Sequence, residues 1–171
     1  MTEHYPGATW VPAHPSNYRK ARRIGFHRII LHCTDGRPKA GPVAEMWQHP
    51  GHGSSAHFVI GQDGEVIQCV SLADVAYHAH LANGVSVGVE HCARTPGELG
   101  PKDDGLPPSA IQLAASAKLV AWLCAVGGLP VDRHSIQGHA EIDPATTHRQ
   151  CPEGCGWDWG RYMGLVAPQI T

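Results

Sequence analysis

Clustered and alternating apolar positions along the chain predict a short series of strands and two helices. From Arg28, the run Arg-Ile-Ile-Leu-His-Cys lies between Gly25 and the turn-rich Asp35-Gly36-Arg37-Pro38, which predicts a short buried strand with His32 at its end. Residues 55–60 and 65–70 are two more strand-like runs. The Gly61-Gln62-Asp63-Gly64 step between them predicts an antiparallel hairpin. Residues 85–92 alternate at period two, with Val85, Val87 and Val89 on one face and Ser86, Gly88 and Glu90 on the other. Residues 94–108 are rich in Pro, Gly and Asp and predict a surface loop. Ser109 has the form of an N-cap for a helix through Ile111, Leu113, Leu119, Val120, Leu123 and Cys124, apolar on nearly all sides and stopped by Gly127-Gly128. Residues 134–139 predict a further short strand and residues 157–166 a terminal helix. Residues 1–23 hold Pro6, Pro12, Pro15 and a basic cluster with no sustained period, and are expected to form an arm lying on a domain of residues 24–171. Strands alternating with helices predict an α/β fold in which a central mixed sheet is flanked by helices.

Composition narrows the function classes. A chain of 171 residues, 42% hydrophobic and 16% charged, suits one globular core. Its 13 Lys and Arg against 15 Asp and Glu leave a net charge of −2, so no excess of positive charge exists to condense on a phosphate backbone, and no nucleic-acid partner is expected. No apolar run approaches the roughly 20 residues that span a bilayer, so membrane insertion is not expected. The start, MTEHYPGATW, lacks the basic-then-apolar plan of an export signal. The expectation is a monomer made in the cytoplasm.

The 13 histidines point to metal or proton chemistry. The six cysteines are scattered, and without an export signal they are expected to be mostly buried thiols. A hydrolytic zinc site needs three His, Cys or carboxylate ligands and one open position. His32, His139 and Cys151 supply such a trio, although their spacing alone does not single them out. His49, His52 and His57 cluster near Gly51 and Gly53 without a recognisable ligand spacing.

Five segments, in order, resemble one family, the zinc N-acetylmuramoyl-L-alanine amidases of the phage lysozyme and peptidoglycan-recognition type. Ile29-Ile30-Leu31-His32-Cys33-Thr34 resembles the family's first strand. Ser55-Ala56-His57-Phe58-Val59-Ile60 with Asp63-Gly64 resembles its second strand and hairpin. Tyr77-His78-Ala79, Val85-Ser86-Val87-Gly88-Val89-Glu90, and Gly138-His139 with Cys151-Pro152 resemble the remaining three.

The resemblance implies a zinc site in a surface groove, with one Zn2+ per chain held by His32, His139 and Cys151 and the fourth position left to water. It implies hydrolysis of the amide between N-acetylmuramic acid and L-alanine in bacterial peptidoglycan. Glu90 matches the carboxylate that moves the water proton. Some members use instead a Tyr before the His-Phe pair, where this chain has Ala56. Arg149, two residues before Cys151, matches an oxyanion-stabilising position, with His148 a neighbouring competitor for that role. His78 and Thr34 are expected to hold substrate, and Thr34 also to support the first ligand. Residues 37–53 and 94–108 are expected to wall the groove, and Cys155 to be a packed or partly exposed thiol. The abundance of Arg, Ala, Gly and Pro and the missing export signal suit a bacteriophage endolysin domain made in its host and acting at the cell wall. A non-catalytic module of the same fold and a cytosolic muropeptide-recycling amidase are the alternatives.

Overall fold

The computed structural model describes residues 3–143 and 145–170. In chain order the strands are β1 (Thr9–Trp10), β2 (Tyr18–Arg19), β3 (Arg28–Cys33), β4 (Phe58–Ile60), β5 (Val66–Gln68), β6 (Val75–Ala76), β7 (Ser86–His91) and β8 (Ile136–Gly138). The α-helices are α1 (Ala40–Gln48), α2 (Ala110–Gly127), α3 (His139–Ile142) and α4 (Trp159–Val166). Six strands form one sheet in the order β1-β5-β4-β7-β3-β8, and β2 pairs with β6 in a separate ribbon. The sheet is mixed: β4, β7, β3 and β8 run parallel to their neighbours, while the β4–β5 hairpin is antiparallel, with Phe58 opposite Gln68. The expected α/β architecture, a mixed sheet flanked by helices, is what the chain forms.

The two faces of the sheet carry different work. Ile29 and Leu31 of β3, Phe58 and Ile60 of β4, and Val87 and Val89 of β7 are buried against Leu119, Val120 and Leu123 of α2 and Tyr162 of α4. Fully burying such a side chain contributes roughly 1.5–3 kcal/mol relative to leaving it exposed, so this face is the main source of stability. α2 begins as its sequence predicts: Ser109 Oγ accepts the Gln112 N–H at 3.0 Å, and Gly128 closes the helix at φ 63°. Its 18 residues are long and apolar enough to cross a membrane by length and hydropathy, yet half of them are buried within this domain. On the opposite face, α1 covers Val59 and Ile67 through Ala40, Ala44 and Trp47.

α1 is the longest element the sequence pattern missed. Its nine residues include Gly41 and Pro42, which read as breakers, but Pro42 sits in the first turn, where its missing N–H costs no intrahelical bond. The N-terminal segment is hydrogen-bonded into the domain: Thr9 and Trp10 extend the sheet in parallel beside Ile67 and Gln68, and Tyr18 and Arg19 pair with Ala76 and Val75. Arg23 donates to the carbonyls of Leu72 and Ser86, at 2.7 Å each. These two-residue bridges are too short to leave a periodic signal.

Candidate metal centre

The chemistry-bearing residues collect at the carboxyl ends of β3, β7 and β8. His32 is the fifth residue of β3 and its register partner on β7 is Glu90. Since Val87 and Val89 point to α2, strand alternation turns Glu90 to the opposite side, as predicted, and Ile30 and His32 alternate the same way in β3. His139 follows β8 directly and opens the single turn of α3. Cys151 comes back alongside: its carbonyl accepts the Ala140 N–H at 3.0 Å, and its peptide bond to Pro152 is cis. Gly138 permits this approach, because a Cβ there would lie 2.8 Å from Pro152 Cδ.

One potential ligand atom from each of His32, His139 and Cys151 lies within 4.8 Å of the others, and all three residues are buried. Among the described residues this is the only such group with metal-holding geometry. Histidines 49, 52 and 57 form no such group; His57 is buried, and its Nδ1 accepts the Gly88 N–H at 3.1 Å.

One ring nitrogen of His32 and one of His139 are engaged. His139 Nε2 donates to Asp143 Oδ2 at 3.4 Å, and Asp143 is also bonded by His80 Nδ1. The hydrogen bond from His80, and then that from His139, hold the Asp143 carboxyl below its usual range against the opposing effect of desolvation. His32 Nε2 is 3.0 Å from His78 Nδ1. Burial first, and neighbouring histidines second, push the His32 pKa well below its usual value, and burial, against the opposing hydrogen bond to Asp143, lowers that of His139, which favours the neutral rings a cation requires. Burial pushes the Cys151 thiol up, while its Sγ accepts the Cys33 N–H at 3.2 Å. A cation in place of that proton reverses the preference and holds the thiolate.

These residues line an open cavity of about 230 Å³ together with Glu90, His78, Thr34, Tyr77 and His148. Glu90 is half-buried, with Oε2 shut off from solvent and without a hydrogen-bond partner. Desolvation, with Asp35 adding like charge, pushes its pKa up to about 8. His78 sits against Gly88, where a Cβ would meet the ring at 2.5 Å. Thr34 Oγ1 accepts the Gly36 N–H at 3.3 Å, so its hydroxyl shapes the turn after β3.

Arg149 is not brought to this cavity. It is exposed and lines an adjoining one of about 420 Å³ with Asp35, Thr95 and Glu98, whereas His148 lines both. Of the two expected walls, residues 37–53 supply Val43, Met46 and Trp47 of α1 to the first cavity, and residues 94–108 border the second. Cys155 is not the free thiol expected: it is bonded to Cys33 as a disulfide, while Cys69, Cys92, Cys124 and Cys151 are the buried thiols expected. The sequence reading assigned no role to Tyr77 or Asp143. Asp143 had a signal in its i, i+4 spacing from His139, which places both on one side of a helical turn.

Residues 20–154 match the family described as N-acetylmuramoyl-L-alanine amidase. The chain is 33% identical over 176 aligned positions to N-acetylmuramoyl-L-alanine amidase A of Achromobacter lyticus, with 93% of each covered. It is 32% identical to the 1,6-anhydro-N-acetylmuramyl-L-alanine amidase AmpD of Citrobacter freundii, over 67% of this chain and 58% of that enzyme. The fold superposes on that of a mutant endolysin from Bacillus subtilis with a TM-score of 0.71 at 20% identity, covering 97% of this chain and 99% of the other. The match across most of the chain, together with a relative similar along nearly its whole length, makes this protein a member of the N-acetylmuramoyl-L-alanine amidase family.

Proposed function

We propose that the chain hydrolyses the amide between the lactyl group of N-acetylmuramic acid and L-alanine in bacterial peptidoglycan, with one zinc ion held by His32, His139 and Cys151. The observation that carries this reading is the meeting of that donor trio with the unpartnered Glu90 carboxyl on one open cavity. The donor set fits zinc in kind and number: two neutral imidazoles and a sulfur, with room left for a fourth ligand. Zinc held there supplies Lewis acidity, polarising the scissile carbonyl and drawing the pKa of water from about 15.7 toward ~7.

Glu90 takes the proton of the attacking water and returns it to the alanine nitrogen as the C–N bond breaks. Desolvation raises the proton affinity of this carboxyl, which suits a group that takes up a proton and gives it back. His148 donates an N–H to the carbonyl oxygen as negative charge gathers there. Arg149, the position implied by family resemblance, is the competing donor, and its place on the adjoining cavity favours His148. Tyr77, Met46 and Trp47 form the wall against which the glycan and stem peptide lie, and Thr34 borders the same cavity. The bacterial cell wall is the proposed place of action, in the manner of a bacteriophage endolysin and as a monomer.

Mass spectrometry of purified peptidoglycan and of soluble muropeptides after incubation with the protein tests the reading. The expected result is release of peptides with a free alanine amine, lost on chelation and restored by zinc. Intact substrates despite one bound zinc per chain would overturn it in favour of a binding module. Cleavage of soluble fragments alone would replace the cell-wall setting by muropeptide recycling.

A further inference from the structure

The hydrogen bonds leading away from His32 have one consistent direction. The Ala82 carbonyl can only accept, so its 2.7 Å contact with Ser86 Oγ is donated by the serine hydroxyl. That hydroxyl has a single proton, so its 3.2 Å contact with His78 Nε2 is donated by the imidazole. A neutral His78 protonated at Nε2 presents a lone pair at Nδ1. The remaining contact, 3.0 Å from His78 Nδ1 to His32 Nε2, is therefore donated by His32. The result is a His32 ring with its proton on Nε2 and Nδ1 bare.

We propose that His78 and Ser86 are positioning residues that hold His32 in its Nε2–H tautomer, leaving Nδ1 free for the metal. The proposal rests on the reading of His32 as a metal ligand. A neutral imidazole carries its proton on either nitrogen, and a site that selects one tautomer before the cation arrives avoids discarding the other on binding. Several features hold the chain of contacts in place. The Asn83 side chain accepts the N–H groups of His78 and Ala79, at 2.9 and 2.6 Å. Gly88, lacking a Cβ, leaves the space the His78 ring fills. Ser86 is fully buried, so water does not compete for its hydroxyl. On the other histidine, Asp143 performs the same selection at His139 Nε2.

The test is long-range 1H–15N NMR of the metal-free full chain labelled with 15N-histidine, together with zinc affinity measured by competition with a chelating dye. In the wild type, His32 is expected to show a protonated Nε2 and an unprotonated Nδ1. His78→Leu is expected to release His32 into a tautomer mixture and to weaken zinc binding about 10–100-fold. His78→Asn, whose amide oxygen can accept from His32, is expected to restore both to within a few-fold. Should His78→Leu fail to fold, Ser86→Ala keeps the ring, removes its orienting partner and is expected to give the same mixture. An Nδ1–H His32 in the wild type, or unchanged tautomer and zinc affinity in a folded His78→Leu or Ser86→Ala variant, would overturn the proposal. An Nε2–H His32 in a wild type that binds no zinc would overturn the metal reading instead.

Discussion

His32 and Glu90 are register partners on adjacent parallel strands, and both side chains leave the sheet on the side away from α2. Backbone pairing thus holds a metal-ligand candidate and a proton-transfer candidate side by side. The two roles are separable by mutation.

Glu90→Gln keeps the shape of the side chain and removes its proton transfer. Turnover of a defined muropeptide is expected to fall by about 10²–10⁴, while zinc stoichiometry stays at one per chain. Steady-state rates beside metal analysis by mass spectrometry check both halves. Loss of the metal with the activity would move Glu90 to a structural role.

The raised proton affinity of Glu90 has a signed consequence for the metal-free protein. With its folded pKa pushed up to about 8 from 4.5, the folded state binds more protons than the unfolded state between those values, so stability falls as pH rises through that range. Buried histidines act oppositely, but below their unfolded value of 6.5: His91, lowered to about 4 mainly by burial, gains stability as pH rises toward 6.5. Unfolded histidines still titrate somewhat above 6.5, so the Glu90 contribution is read by difference. Thermal melts in chelator between pH 6.5 and 8 are expected to show the wild-type Tm falling relative to that of Glu90→Gln as pH rises. An equal slope in both proteins would assign the effect elsewhere.

Gly88→Ala places a methyl 2.5 Å from His78 Cγ, so the ring must move. A loss of about 1–3 kcal/mol in urea unfolding of the metal-free protein is expected, with weaker zinc binding in the same sample. A neutral result would mean that the cavity side has room to give.

A second directed chain of hydrogen bonds reaches the backbone of His32 from the opposite face. Tyr162 O–H donates to Ser116 Oγ at 2.7 Å, Ser116 donates to His91 Nε2 at 2.7 Å, and His91 Nδ1–H donates to the His32 carbonyl at 3.0 Å. Tyr162→Phe removes the outermost donor and is expected to cost about 0.5–1.5 kcal/mol. His91→Leu is expected to cost more, about 1–3 kcal/mol, because it removes two hydrogen bonds at once and leaves one hydroxyl proton of the Ser116–Tyr162 pair without an acceptor in a dry interior. Denaturant unfolding of the two variants checks the order.

The strands that bring the site together were legible because each couples a strong local signal to a buried face. The alternation from Val85 to Glu90 predicts which side Glu90 takes, and Ser109 and Gly128 bound α2 by cap chemistry that needs no tertiary context. α1 was hidden because Gly41 and Pro42 disguise its first turn, although residues 37–53, expected as a wall of the groove, do supply Met46 and Trp47 to the cavity. The side on which Arg149 and His148 fall depends on how an irregular loop packs, for which no periodicity exists. Likewise the Cys33–Cys155 bond joins residues 122 apart, a pairing that spacing does not encode.

Three parallel strands deliver His32, Glu90 and His139 to one end of the sheet, while the surroundings of the cavity come from the connections between strands. The donor residues and the cavity walls thus come from different parts of the chain. A change in residues 94–108, which border the adjoining cavity, is expected to leave strand register intact, whereas a change in α1 must keep Ala40, Ala44 and Trp47 packed on the sheet, so the two walls of the site differ in how freely they can vary around an unaltered donor set.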